Sequence, residues 1–278
     1  MSLFSDIEWT EATWNPVTGC TQISPGCDNC YAKTFAERFR GVKGHPYEQG
    51  FDVKLWPERL SLPLAWREKR KIFVNSMSDL YHEKVPKEFV LRVFETMNAA
   101  SWHTFQILTK RAKRLQDLGP ELPWAPNIWQ DVSVESKAFT WRIDALRKVP
   151  AKVRFLSLEP LLGPLPDLDL AGIHWVIVGG ESGHHPRPMK ASWVRQIRAQ
   201  CRRADVPLFF KQHGHIRNNP NPSDPTAKEN GGTSKGGAML DGRLWRQFPG
   251  ESRALLTARR ASTGDGAVPR SRRASASA

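Results

Sequence analysis

The sequence predicts an α/β protein built as a (β/α) barrel, complete or partial and TIM-like, with parallel strands inside and helices outside. Three observations predict it. Strand and helix signals alternate about seven times along residues 1–215. The strand segments are apolar through their middles, the pattern of a parallel sheet covered by helices. Each strand runs into polar or charged residues, which in a (β/α) barrel gather on one face and form the site. A chain of 278 residues is long enough to bury a sizeable core.

Ile7 to Trp14 alternates and is rich in aromatic and β-branched residues, so it reads as the first strand. Asn15-Pro16-Val17-Thr18-Gly19 turns the chain into a cysteine-bearing loop. Tyr31 to Phe39 reads as a helix with Ala32, Phe35, Ala36 and Phe39 on its core face. A loop follows, then a short helix from Trp56 to Arg70, broken around Pro63. Lys71 to Asp79 is a strand, and Pro86 to Ala99 a helix with Pro86 near its first turn. Thr104 to Arg111 is a strand followed by a basic helix. Ile128 to Glu135 is a strand, Phe139 to Lys148 a helix, and Val153 to Glu159 a strand ending at Pro160. Ile173 to Val178 is a strand that enters Gly179-Gly180-Glu181-Ser182-Gly183. Ser192 to Ala204 is a helix with Ser192 as N-cap, and Val206 to Gln212 is the last strand.

From Arg217 to Gly237 the composition turns to Asn, Pro, Gly, Ser and Lys, so residues 216–250 read as a loop or lid with a small C-terminal cap. Asp241-Gly242 is the turn of a small hairpin within it. Residues 251–278 read as a disordered basic tail, with six arginines against two acids.

Cys20, Cys27 and Cys30 fall within eleven residues, and Gly19, Pro25 and Gly26 let that backbone curl so that the thiols converge. Thiolates repel one another and resist burial, so such a cluster holds a metal or is oxidised. The N-terminal stretch lacks the features of a secretory signal, and no apolar run approaches the ~20 residues that span a bilayer. The expected setting is therefore cytoplasmic, without membrane contact, where thiols stay reduced. A structural zinc site would need a fourth ligand, from His45, His82, a more distant histidine or Cys201. A 4Fe–4S cluster on three thiolates leaves one iron open for a small molecule.

At the strand ends, Gly179 and Gly180 let a ligand approach the backbone, and Glu181 can accept from an ammonium group. Glu135 and Glu159 are suited to ribose hydroxyls or acid–base work, or to capping and ion pairs. Lys110, Arg111 and Lys211 can hold a carboxylate or phosphate, or balance those glutamates. His184-His185 reads as an exposed loop pair, Tyr31 as packing over a cluster, and Trp14 and Trp129 as lining the site.

Taken together, the run Trp14-Asn15-Pro16-Val17-Thr18-Gly19-Cys20, Asn75-Ser76-Met77-Ser78-Asp79-Leu80, Leu108-Thr109-Lys110-Arg111, Val132-Ser133-Val134-Glu135, Leu156-Ser157-Leu158-Glu159-Pro160, Val178-Gly179-Gly180-Glu181-Ser182-Gly183 and Phe209-Phe210-Lys211-Gln212 resembles the phage-associated three-Cys-motif family of unknown function. More broadly, the chain resembles the radical S-adenosylmethionine superfamily. The resemblance implies that Cys20, Cys27 and Cys30 bind three irons of a 4Fe–4S cluster and that the fourth holds S-adenosylmethionine. An electron from a donor protein would cleave the sulfonium to a 5′-deoxyadenosyl radical, which abstracts hydrogen from a substrate. The first two cysteines here are separated by six residues rather than the superfamily's three. The Gly-Gly-Glu also follows a late strand rather than the second, so Asn75, Ser76 and Asp79 are the alternative partners of the ligand's amino group.

The charge of +13, from 41 Lys and Arg against 28 Asp and Glu, makes nucleic acid a candidate partner and a base or nucleotide a candidate substrate. The competing function is a non-catalytic nucleic-acid-binding protein with a structural zinc or iron–sulfur site. A metal-dependent hydrolase is disfavoured by the scarcity of histidines at strand ends.

Overall fold

A computed structural model describes residues 5–183, 185–221, 223–227 and 235–250. The expected basic tail at 251–278, and residues 222 and 228–234 of the expected lid, lie outside these described residues.

Seven strands form one sheet: β1 (Ala12–Trp14), β4 (Lys71–Val74), β5 (Thr104–Ile107), β6 (Ile128–Ser133), β7 (Val153–Leu158), β8 (Trp175–Gly179) and β9 (Leu208–Gln212). All neighbours are parallel and their order in space is their order in the chain. Crossovers between consecutive parallel neighbours, right-handed as a rule, put the helices that follow β4, β5, β6 and β8 on one face of the sheet. Among the described residues no pairing joins β1 to β9, so the barrel is partial. Two short pairs, β2 (Val17–Thr18) with β3 (Lys54–Leu55) and β10 (Met239–Leu240) with β11 (Arg243–Leu244), stand outside the main sheet.

The alternation of side chains along each strand divides the interior in two. Ile72, Val74, Phe105, Ile107, Val132, Leu156, Leu158, Val176, Val178, Leu208 and Phe210 face the helices and build the large core. Against them pack α2 (Lys87–Ala99), α3 (Ala112–Leu118), α4 (Trp141–Arg147) and α5 (Ala191–Arg203), through residues such as Val90, Phe94, Leu115, Ile143, Val194 and Ile197. The intervening residues Phe73, Phe155, Trp175, Ile177 and Phe209 face inward, with Trp9, and form an aromatic floor. Phe248 rests on Trp175 and Phe209 and under Lys71 of β4, so it helps to fill the gap between first and last strands. The open edge of β9 is covered by residues 245–247, through Phe210 N to Trp245 O and Gln247 N to Leu208 O.

Several sequence expectations are corrected. The first strand spans only Ala12–Trp14, because Trp9 turns inward to plug the floor. Residues 56–70 form two 3-10 turns, Pro57–Arg59 and Leu62–Ala65, each with a proline in its first turn. Helix α5 is capped by Lys190 in extended conformation, not by Ser192, whose predecessor Ala191 already begins it. Trp14 is fully buried in the helix-facing core, with its Nε1 donating to Arg59 O, and does not line a site. Trp129 sits in the floor beside Trp175. Helix α1 (Tyr31–Glu37) buries Ala32 and Ala36 against Phe51 and leaves Phe35 exposed, contrary to the expected core face.

Candidate functional site

The cysteine loop lies over the carboxyl ends of the strands, on the rim that carries the acidic residues. A Cβ on Gly26 would stand 3.0 Å from Lys110 Cε and 3.1 Å from Glu135 Cδ, so the loop touches the ends of β5 and β6. Asn29 Nδ2 donates to Glu181 Oε2 at 2.8 Å, beyond the end of β8. Tyr31, just after Cys30, donates its hydroxyl to Ser76 O beyond β4. The loop is thus tied to four strand ends.

Its entry is fixed by backbone. Gly19 has φ +84°, and a Cβ there would meet Asp52 O at 2.1 Å. Gly19 N donates to Met77 O, and Cys20 N to Phe51 O. Asn75 adopts φ 61°, a left-handed conformation that asparagine tolerates, and its Oδ1 accepts from Val17 N. Ser76 Oγ donates to Asn15 Oδ1. Asp79 accepts from Tyr81 N, Lys110 N and Thr109 Oγ1. Asn75, Ser76 and Asp79 therefore hold loops in place around the rim.

The cations divide into two kinds. Three arginines are bound into the scaffold. Arg111 bonds Glu83 through Nη1 (2.6 and 2.7 Å), Thr21 O through Nη2 (2.9 Å), and stands 3.7 Å from Cys20 Sγ. Arg142, fully buried on α4, bonds Ser133 O and Glu135 Oε2, both at 2.8 Å. Arg187 grips Glu181 with its backbone and guanidinium and bonds Asp28 Oδ2 at 2.9 Å. Glu159 instead pairs with Lys211 of β9 (Oε1 to Nζ, 3.3 Å), while Lys110 Nζ reaches its carbonyl oxygen. A Cβ on Gly179 would stand 2.6 Å from Glu159 Oε1, and one on Gly180 2.3 Å from His213 O. Gly180 is required by its approach to backbone, whereas at Gly179 the Glu159 side chain would have to give way.

Glu181 answers a question the sequence left open. Burial alone would raise its pKa, but hydrogen bonds from Arg187 and Asn29 bring it below its ordinary value. Its carboxylate clamps the loop between Cys27 and Cys30. Replacing Arg187 by alanine is expected to leave this nearly buried carboxylate short of partners, at a cost of about 1–3 kcal/mol. Hydrogen exchange should then rise in residues 26–31; unchanged protection there would show that the clamp is idle.

Four buried side-chain atoms around the rim have no partner among the described residues: Glu135 Oε1, Gln212 Oε1, Asn75 Nδ2 and Asp131 Oδ2. Gln212 Oε1 lies 3.2 Å from the Cβ position of Gly179, and Glu135 Oε1 3.2 Å from that of Gly26. Buried polar atoms are normally satisfied, so these oxygens and this amide are candidates for contact with a polar ligand or water. Sequence reasoning missed Asp131, Arg142 and Arg187. Alternation along β6 would have placed Asp131 on the inner face, but nothing in the spacing pairs Arg142 with Glu135.

Asp131 is fully buried and accepts from Thr109 N. Burial, then the nearby Asp79 and Glu159 carboxylates, push its pKa well above the ordinary carboxylate range, against the Thr109 bond and Lys110. The folded state therefore holds a proton that the unfolded chain releases, and stability falls as pH rises above the ordinary range. Asp131→Asn is expected to remove that loss, worth about 1.4 kcal/mol per pH unit of separation. Its melting temperature relative to the native protein should rise from pH 4 to pH 7; a constant difference would mean that Asp131 is ionised in the fold.

The thiols are all free, with Cys20, Cys27 and Cys30 partly exposed. Burial and Asp79 push the Cys20 thiol up to about 12, against Arg111. Of the fourth-ligand candidates His45, His82 and Cys201, only His82 reaches the cysteine loop, beside Thr21. His45 stacks on Phe39 at 3.8 Å, Cys201 is buried in the helix-side core, and His82 Nε2 pairs with Thr21 Oγ1 at 2.9 Å. His184 lies outside the described residues, and His185 is exposed. Among the described residues no group of three His, Cys, Asp or Glu side chains could hold a single metal ion.

These features define a class: an open, all-parallel β/α half-barrel whose first loop brings three cysteines over the carboxyl ends of its strands. The chain belongs to the family described as protein of unknown function (DUF5131), whose model matches residues 4–249. A comparison with curated proteins gave no match. Two solved structures are similar in part. A mutant of spore photoproduct lyase aligns with TM-score 0.45 and 15% identity, over 64% of this chain and 58% of that one. Spore photoproduct lyase complexed with dinucleoside spore photoproduct aligns with TM-score 0.38 and 13% identity, over 66% and 59%. The matched parts are thus about three fifths of those chains. No helix among the described residues is long and apolar enough to cross a membrane.

Proposed function

We propose that this protein is a radical S-adenosylmethionine-type iron–sulfur enzyme of the phage-associated three-Cys-motif kind, acting on a nucleic-acid base or nucleotide. The observation that carries the reading is the seat of the cysteine loop: Gly26 against Lys110 and Glu135, and Asn29 on Glu181. Three free thiols on one loop at the mouth of a parallel barrel suit a cluster with one open iron.

The residues present fit that group. A tetrahedral zinc site takes four protein ligands around one ion, whereas the loop supplies three thiols. A 4Fe–4S cluster takes one thiolate per iron, so its thiolates stand farther apart. Cys20, Cys27 and Cys30 would hold it, with Arg111 beside the Cys20 sulfur. The unpartnered oxygens of Glu135 and Gln212 face the same region and would accept from hydroxyl or amino groups of a bound nucleoside. Glu159, paired with Lys211, and the Gln212 oxygen both lie against Gly179. The cluster with S-adenosylmethionine supplies one-electron cleavage of a sulfonium. The chain's own part is to position both and exclude water by closing the loop over the strand ends.

The test is anaerobic incubation of reduced, iron-loaded protein with S-adenosylmethionine. Formation of 5′-deoxyadenosine and methionine is expected. A fully loaded, reduced protein that leaves S-adenosylmethionine intact would contradict the reading. The uncompensated charge also fits a non-catalytic nucleic-acid binder, for which binding would persist and cleavage would be absent.

A further inference from the structure

Helix α1 is built the wrong way round for a simple packing role. It buries its two small residues, Ala32 and Ala36, and turns its two large rings outward: Tyr31 is 59% exposed and Phe35 44%. Exposing such rings forgoes the burial that aromatic side chains normally supply. The anomaly is local. Among the described residues nine large apolar side chains are exposed, and four of them, Ile23, Tyr31, Phe35 and Val42, fall between residues 23 and 42. Tyr31 and Phe35, one turn apart on α1, form an exposed apolar patch of the kind used for contact.

The rings are held in place. Phe35 lies edge-on to Tyr47 at 5.5 Å and tilted against Phe39 at 5.2 Å. Tyr31 is anchored by its hydroxyl on Ser76 O, so the surface starts at the rim of the barrel mouth. One helical turn separates the two rings, which puts them on one face.

The charges around the rings are positive. Arg38, which caps the helix three residues after Phe35, is exposed beside it, Lys33 is exposed on the opposite flank, and Lys43 is exposed in the loop that follows. The acids nearby are engaged: Glu37 and Asp52 both with Arg40, and Glu48 with Gly44 N. Fixed aromatic rings with exposed cations nearby are what a single strand of nucleic acid requires, since bases stack on the rings and phosphates meet the cations. A duplex offers no exposed base faces to stack.

We infer that the outer face of α1 is a docking platform for single-stranded nucleic acid, with bases on Tyr31 and Phe35 and the strand led into the barrel mouth. The inference deepens the function proposed above and rests on that reading for the fate of the strand, but not for its binding. An acidic protein partner is the other occupant this face could take.

The test uses the full-length protein, purified without oxygen, and fluorescein-labelled twelve-nucleotide oligo-dT, oligo-rU and a DNA duplex. Phe35→Ala is expected to weaken oligo-dT or oligo-rU by about tenfold. Phe35→Trp, which keeps a flat ring, should bind as the native protein does. Duplex affinity should be equal in all three, and iron content is measured on each preparation. Replacing Lys33 and Arg38 by alanine should lower the steepness with which binding falls with salt. Single-strand binding indifferent to Phe35, in preparations that keep their iron, would overturn the platform and leave the proposed chemistry standing. So would an equal loss for duplex and single strand, or binding that survives only through charge and disappears at high salt in all variants alike. The same preparations assayed for S-adenosylmethionine cleavage report separately on the chemistry.

Discussion

Arg142→Met is expected to destabilise the protein by about 3–5 kcal/mol, the loss seen when one partner of a buried ion pair is removed. Arg142 is 2% exposed and Glu135 is not exposed at all. The guanidinium bonds Glu135 Oε2 and Ser133 O and lies 4.3 Å from the Phe139 ring centroid. Methionine preserves much of the volume but leaves the Glu135 carboxylate charged, buried and unpaired. The ion pair is not needed for net stability, because two apolar residues of similar size can replace such a pair at little cost. Arg142→Met combined with Glu135→Leu should therefore recover most of the loss. Urea unfolding midpoints measure both. A single variant as stable as the native protein would mean that Glu135 is protonated or hydrated in the fold. The pair matters for the site because it aims the second oxygen of Glu135 toward the cysteine loop.

Gly19→Ala should separate the site from the fold. Gly19 threads between Met77 on one side and Phe51–Asp52 on the other, at φ +84°. An alanine Cβ would fall 2.1 Å from Asp52 O and 2.4 Å from Asp52 C, both backbone atoms that cannot rotate away. The chain must shift, and the next residue is Cys20. Displacing the loop proposed to carry the cluster is expected to lower iron affinity by about 10–100-fold. The strands β4–β9 make no use of Gly19, so cooperative unfolding and far-UV circular dichroism should persist. Full iron loading in Gly19→Ala would show that the loop closes without this turn.

The layout of the barrel was legible in the sequence because its signals are local. Apolar strand middles, polar ends and intervening helices give parallel strands and a shared rim, and the cysteine spacing marks the first loop. Element ends were less legible. The expected strand Ile7–Trp14 shrinks to three residues because Trp9 is needed 64 residues away, against Phe73. Phe35 misled for a related reason: periodicity identifies a helix face, but not whether Ala or Phe has room beneath it. Here Phe51 packs against the alanines and leaves none. The roles of the rim charges depend on long-range partners. Arg111, expected to hold an anion, is occupied by Glu83 and Thr21. Glu181, expected to meet an ammonium group, is occupied by Arg187 and Asn29, the second from a loop 152 residues earlier.

The central claim is that Cys20, Cys27 and Cys30 together carry an iron–sulfur cluster over the strand ends. Iron, zinc and acid-labile sulfide in protein isolated without oxygen, beside the triple alanine variant at those positions, test it most directly. About four irons and four sulfides per chain, lost together in the variant, are expected. One zinc per chain without sulfide, or iron retained after all three thiols are gone, would contradict it.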